Sequence, residues 1–561
     1  MRLSKKLLVF LLSVPGWLPG FAQNDVPHGW HLLSPSDSGH FYGINLAGAY
    51  RFVREKNLKS SPLVVAVIDS GIDTTHEDLK PVLWRNPGEI PDNGIDDDKN
   101  GYVDDVYGWN FLGGRDGRNV EKDSWEAARV FHGLKKKWDG KAVDRSSLNP
   151  ADQREYDMWL RAKEAVGVVD PLAAYTILQL KKEYRNAIAA DSAFRKKIRE
   201  SYNAQDLDSF TPTDDITKKG KRSLQKIYQG FDLESTTPAS EVLPEVDEYI
   251  SSEETKMRNV ETPPSPYRDE VVKDNYSDLN DRFYGNNNVM VSPSAAVHGT
   301  HVSGIIAAAR GNGLGVDGVA DNVRVMMVRA VPDGDEHDKD IALAIRYAAD
   351  NGARIINMSF GKGFSPEKKW VDDAVRYAEA KGILFVEAAG NDHVDIDSAK
   401  NYPSPQFLDG GKATNWITVG ASGPNAGGLT ANFSNYGRNS VDVFAPGVKI
   451  YSTVPGGNTY RDLQGTSMAS PVVAGLAALI LEYFPGLSAK QVKMVIEKSA
   501  QKPLAKVRNP GTGEEVNLTE LARSGGIVNA YEALKLAATI KPEKTTPSAP
   551  GRSVIRPKKK D

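Results

Sequence analysis

Between Val323 and Gly390 the chain alternates short β-branched runs with helix-length amphipathic ones. VRVMMV (Val323–Val328) is followed by a helical stretch (Asp340–Asn351), RIINMSF (Arg354–Phe360), a second helical stretch (Lys369–Lys381) and ILFVEAAG (Ile383–Gly390). Strands that are each returned to the sheet by a helix run parallel, because a parallel pair needs a long crossover and an antiparallel pair does not. LVVAVI (Leu63–Ile68) is apolar at every position and reads as another strand buried on both faces. The predicted fold class is therefore α/β, a three-layer, doubly wound, mostly parallel sheet with helices on both faces. In such sheets the groups that do chemistry gather at the carboxyl ends of strands. Asp69, Ser359 and Asn391 each stand at such an end.

Composition narrows the function classes. The 561 residues are 40% hydrophobic with 50 glycines, which is ample for a large core. Lys+Arg number 70 against Asp+Glu 73, a formal charge of −3, so no global field favours a nucleic-acid partner. Cysteine is absent, which excludes disulfides, thiolate nucleophiles and cysteine-held zinc. Arg2, Lys5 and Lys6 precede the apolar run Leu7–Val14, and Gly20-Phe21-Ala22 follows a Pro/Gly-broken stretch. That is the pattern of a secretory signal (1–22) cut after Ala22, with an anchoring helix as the alternative. The expectation is export to the periplasm or the cell exterior, with no stable membrane span after cleavage. Nothing in the sequence fixes an oligomeric state.

Four polar residues occupy glycine- or small-residue settings: Asp69 in AVIDSGID, His298 in HGTHVSGIIAA, Asn391 in AAGND and Ser467 in GTSMASP. Amide hydrolysis needs a nucleophile, a base for its proton, a carboxylate that orients the base and a donor for the tetrahedral oxyanion. Those are the four residue types present. Ser467 opens an apolar helical stretch, whose N-terminus favours developing negative charge.

AVIDSGID, HGTHVSGIIAA, AAGND and GTSMASPVVAG resemble the signature segments of the subtilisin-like serine proteases, the subtilases, over about residues 60–112 and 286–540. The resemblance implies a subtilisin-type fold and a serine endopeptidase acting on polypeptide substrates without an organic cofactor. It implies Ser467 as nucleophile, His298 as general base and acid, Asp69 as the orienting carboxylate and Asn391 as side-chain oxyanion donor. It also implies that Ser359-Phe360-Gly361 pairs with the substrate backbone while Ala388-Ala389-Gly390 faces it across the first specificity pocket. Small walls suggest room there for a sizeable apolar or aromatic side chain, and Asp392 at the rim reads as a solvated carboxylate, a preference for Lys or Arg being the alternative. His301 reads as structural, a His-x-x-His metal pair being the alternative. A non-catalytic peptide-binding protein that keeps the fold is the rival function, and esterase or transferase action through the same acyl-enzyme is a third.

Structural Ca²⁺ is expected at two places. By the resemblance, Asp78 and Asn312 of the loop Ala309–Gly318 stand where subtilases commonly hold it. Separately, Asp96, Asp98, Asn100 and Asp104 fall at positions 1, 3, 5 and 9 of a calcium loop with Gly101 at the turn, although Tyr107 replaces the closing Glu. The 229 positions from Asp69 to His298 far exceed the usual family spacing. The expected organisation is an N-terminal arm (23–60), a first part of the catalytic domain (61–114), a helical and partly flexible insertion (115–285), a second part (286–540) and a basic, disordered tail (541–561). The insertion reads as helix from Pro150 to Tyr202, with Trp159, Ala162, Val166, Tyr175, Leu178, Tyr184 and Ile188 on its apolar face. From Glu234 to Glu261 it reads as an acidic, proline-punctuated strap. Because Asp69 and His298 must meet, the insertion must leave and rejoin the domain at neighbouring points. It is expected to regulate access to the cleft, a passive decoration being the other reading.

Overall fold

The computed structural model describes residues 26–34, 41–167, 171–231, 233, 235–424 and 428–543. The expected secretory signal (1–22) and the expected tail from residue 544 onward lie outside the described residues.

Seven parallel strands form the central sheet: β1 (Leu63–Asp69), β2 (Gly108–Asn110), β3 (Val323–Arg329), β4 (Ala353–Met358), β5 (Leu384–Ala388), β6 (Trp416–Ser422) and β7 (Val443–Pro446). Their spatial order is β2-β3-β1-β4-β5-β6-β7. β1 therefore lies between β3 and β4, with Asp69 opposite Arg329 at the carboxyl edge. The chain winds to one side through β3 and to the other from β4 onward, so the carboxyl ends of β1 and β4 flank the place where the winding reverses.

Two apolar layers cover the sheet. One face packs Val302, Ile305 and Ile306 of the helix Val297–Ala307 together with the helices Thr466–Tyr483, Ala489–Ser499 and Ala530–Ala537. The other packs the helices Asp338–Asp350 and Lys368–Ala380. The α/β three-layer expectation holds. Thr466–Tyr483 is long and apolar enough to cross a membrane, but it is almost wholly buried as the core helix of the sheet.

The insertion departs after β2 and returns beside it, where Asn110 and Asn286 exchange backbone hydrogen bonds of 2.9 and 3.1 Å. Its helices are Glu126–Trp138, Pro150–Gly167, Pro171–Lys197, Ala204–Ser209, Asp215–Gly230, Ala239–Glu261 and Tyr267–Val271. Two readings of this region need correction. The expected strap is mostly a helix, Ala239–Glu261: Ala239, Val242, Leu243, Val246 and Ile250 recur at helical spacing and are buried against Ile177, Leu180 and Leu224. Pro244 is tolerated because it faces water, as does Ser240, whose carbonyl its missing N–H would have met. The face assigned to Pro171–Lys197 is also partly wrong. Trp159, Ala162 and Val166 are buried as expected, but Tyr175, Leu178 and Ile188 are exposed. Ile177, Leu180, Ala187, Ala190 and Phe194 form the buried stripe instead, since this helix carries two apolar stripes and only packing selects one.

Candidate active site

Asp69 ends β1 and is 1% exposed. Its Oδ1 accepts from the backbone N–H of Ser70 at 2.7 Å and from His298 Nδ1 at 2.8 Å. A proton on Nδ1 leaves Nε2 as the basic nitrogen of the ring. His298 lies in the first turn of the helix Val297–Ala307, which presses against the end of β1. Gly299 makes that approach: a Cβ there would sit 2.2 Å from the carbonyl oxygen of Gly71. Residues 229 positions apart thus converge on one hydrogen bond.

Ser467 occupies the first turn of the buried helix Thr466–Tyr483. Its hydroxyl donates to the carbonyl of Ser359 at 2.9 Å, and the Ser359 hydroxyl donates back to the carbonyl of Ser467 at 2.9 Å. Asn357 extends this link, donating from Nδ2 to Ser359 Oγ and accepting from Ser470 Oγ, both at 2.9 Å. The backbone of Ser467 is therefore tied to the end of β4. Asn357 was missed in the sequence, where the only signal is one amide among the apolar residues that close the strand.

Asn391 follows β5. Its Oδ1 accepts from Thr466 N at 2.8 Å and from Thr466 Oγ1 at 2.9 Å, which fixes the amide and turns Nδ2 to the other side. Gly465, the residue before the helix, has φ +150° and ψ 164°, a region closed to side chains. A Cβ built there would lie 3.5 Å from Asn391 Nδ2 and 3.5 Å from Ser467 N. Two N–H donors thus border one small space beside the serine, at the positive end of a helix dipole.

Ser359, Phe360 and Gly361 follow β4, and Ala388 ends the neighbouring β5 with Ala389 and Gly390 just after it, so the two segments leave adjacent strands side by side. Small walls suggest room between them for an apolar or aromatic side chain, and one amide stands beside that space. It belongs to Asn401: its Oδ1 lies 3.0 Å from where a Gly361 Cβ would stand and 3.9 Å from the Gly390 position, and its Nδ2 approaches the carbonyl of Ala389 at 3.4 Å. No spacing rule pointed to a residue so far past the wall. Asp392 is exposed. His301 is fully buried, its Nε2 on the carbonyl of Arg461 at 3.0 Å, and burial lowers its pKa to about 3. That is a structural histidine.

In the acidic loop, Glu89, Asp96 and Asp98 each present an oxygen, all within 4.8 Å of one another. Asn100 sits at the same turn, its N–H donating to Asp96 Oδ1 at 3.0 Å and Asp98 Oδ1 at 2.9 Å. Asp104 departs from the expected set: its carboxylate accepts from Asn93 N and Gly94 N at 3.1 and 2.8 Å, while its own N–H donates to Glu89. Glu89, which precedes the motif, is the carboxylate that lies with Asp96 and Asp98. At the other expected site Asp78 and Asn312 do meet, but Asn312 presents its nitrogen to Asp78 Oδ1 at 2.6 Å and its oxygen to Leu314 N at 2.9 Å. Asp78 Oδ2 accepts from Tyr460 and Val316. The carboxylate there is satisfied by protein donors.

The Subtilase family model matches residues 60–525, which spans every group above. The chain belongs to the subtilase family. A thermophilic serine proteinase of Bacillus sp. (strain AK1) is 44% identical over 206 residues, 36% of this chain and 47% of that protein. Thermitase of Thermoactinomyces vulgaris is 36% identical over 272 residues, 48% of this chain and 86% of thermitase. Subtilisin DY of Bacillus licheniformis is 42% identical over 207 residues, 36% of this chain and 70% of that protein. The match to the first of these subtilases spans about half of its length.

Proposed function

We propose that this subtilase is an exported serine endopeptidase that hydrolyses peptide bonds through a Ser467 acyl-enzyme. The observation that carries the reading is the 2.8 Å His298–Asp69 hydrogen bond at the same sheet edge as Ser467 and its two neighbouring donors. Ser467 Oγ turns from the Ser359 carbonyl to the substrate carbonyl, and its proton passes to His298 Nε2. Asp69 holds the imidazolium so formed. Asn391 Nδ2 and Ser467 N receive the negative oxygen of the tetrahedral intermediate. The C–N bond then breaks, His298 protonates the leaving amine, and a water activated by the same histidine releases the acyl group. An extended peptide adds along Ser359–Gly361, with its side chain between the two glycine-bearing walls. Asn401 gives that pocket a polar amide floor.

The signal-like N-terminal pattern supports export, as does a relative described as a cell wall-associated protease of Bacillus subtilis, 38% identical over 227 residues. The oxygen donors Glu89, Asp96 and Asp98 fit a hard cation of the Ca²⁺ type, which would brace the loop between β1 and β2. The Asp78 pair fits one less well, because its donors are already turned inward.

Incubation with a peptide library, with cleavages mapped by mass spectrometry, tests the reading. Wild type should cut internal peptide bonds and Ser467→Ala should not. Equal cleavage by both, or none by wild type, refutes it. The second outcome leaves the peptide-binding alternative standing.

A further inference from the structure

We infer, resting on the function proposed above, that the insertion forms the end wall of the peptide groove, so that this strand reads three consecutive acyl-side substrate residues and no more. The acyl portion is the part concerned, because it stays bound to Ser467 while the leaving amine departs.

Ser359 marks the reacting end, since its carbonyl accepts from Ser467. From there the strand runs away from the nucleophile toward Lys362. Successive strand residues direct their backbone groups to opposite edges. Lys362 spends its N–H and C=O on Tyr402, at 2.8 and 2.9 Å, on the edge away from the groove. Ser359 and Gly361 consequently share the groove edge, and a peptide strand pairing with both spans three residues. The chain bends at Gly363, so no third station follows.

Insertion residues fill the space beyond. The Lys362 side chain, 2% exposed, lies 2.8 Å from the Glu126 carboxylate, 2.9 Å from Asp338 and 2.7 Å from the carbonyl of Glu336. Glu126 and Arg129 belong to the first helix of the insertion. Arg129 donates to the carbonyls of Asp335 and Glu336 at 3.0 and 3.1 Å, and Glu126 N donates to Asp335 Oδ2 at 2.8 Å. Upstream, Asp333 pairs its backbone with Glu121 and Asp123 at 2.8 and 2.9 Å. The backbone carbonyls of Asp333, Asp335 and Glu336, which follow β3, are thus bonded by the insertion. Arg161, from its second long helix, lies 4.9 Å over the ring of Phe364, just past the strand. A fourth substrate residue meets bonded backbone and a buried ion pair instead of a free edge.

The test uses the full-chain protein and amino-capped peptides carrying one to six acyl-side residues before a fluorogenic amide, with Ser467 labelling by a fluorophosphonate measured alongside. We expect kcat/KM to rise through the third residue, and the fourth, fifth and sixth each to add less than about threefold. A gain of about threefold or more at any of those three, in protein that labels, overturns the wall and leaves the protease reading intact. Protein that neither labels nor cleaves any length overturns the protease reading and the wall with it. Arg129→Lys keeps the charge and withdraws the forked donor. If it melts like wild type, the fourth residue should begin to contribute, and an unchanged ladder overturns the insertion's part in the wall. If it melts lower, the wild-type ladder alone decides.

Discussion

Asn391 carries its role through one asymmetry: its oxygen is bound twice by Thr466, which leaves only the nitrogen to face the serine. Asn391→Ala should therefore lower kcat by about a hundred- to a thousandfold with little change in KM, because the bond forms only as the oxyanion does. A loss under about tenfold would show that the backbone N–H of Ser467 suffices. Glu387, one residue before the pocket wall, makes a different prediction. It is 1% exposed, and burial pushes its carboxyl up to about 8 against the hydrogen bonds of Trp416 and Thr418. Between its ordinary value of 4.5 and about 8 the folded protein keeps a proton that the unfolded chain releases. Stability from this group is thus complete below pH 4.5 and is lost as pH rises through 8, with a slope of about 1.4 kcal/mol per pH unit. Glu387→Gln should remove that slope from the unfolding free energy between pH 4.5 and about 8. Parallel profiles for the two proteins would contradict the buried neutral acid.

Among the elements, legibility followed burial. β1 was readable because both its faces are covered and its apolar run is uninterrupted, as LVVAVI shows, and β3, β4 and β5 because apolar residues dominate each short run between helix-length stretches. The insertion was harder. Its helix Ala239–Glu261 hides behind Pro244 and acidic residues, and its helix Pro171–Lys197 offers two apolar stripes. Nor could the sequence show that charged residues at its start are buried, since a charge run reads as solvated surface until its partners appear. Burial alone would raise the Glu126 carboxyl and lower Lys362, but Arg129 and Lys362 hold the first well below its usual range while Asp338 and Glu126 hold the second above its own. Lys362→Met removes the shared cation and strands carboxylates in the interior, so it should cost about 3 kcal/mol or more in unfolding free energy. Denaturant unfolding measures this directly. A change within about 0.5 kcal/mol would mean that the insertion is not anchored through this pair.

Across the whole molecule, the four chemical groups were legible because each sits in a short motif of small residues that lets backbone and ligand approach closely. What was not legible lies outside those motifs: Asn357 behind Ser467, Asn401 beside Gly361 and Gly390, and Glu89 ahead of the acidic loop. Each acts through a fold contact that no local spacing encodes. Chelation should lower the melting temperature if Ca²⁺ occupies the Glu89–Asp96–Asp98 cluster, and Glu89→Gln should abolish that sensitivity. Equal melting with and without chelator, and no bound calcium by elemental analysis, would remove the ion from the account. The proposed chemistry makes Ser467 a nucleophile activated by His298. Intact-protein mass spectrometry after fluorophosphonate treatment tests it most directly: one adduct mapped to Ser467, absent in Ser467→Ala and strongly slowed in His298→Ala, is the predicted result. A wild-type protein that gains no adduct, or gains it at another residue, would contradict the account.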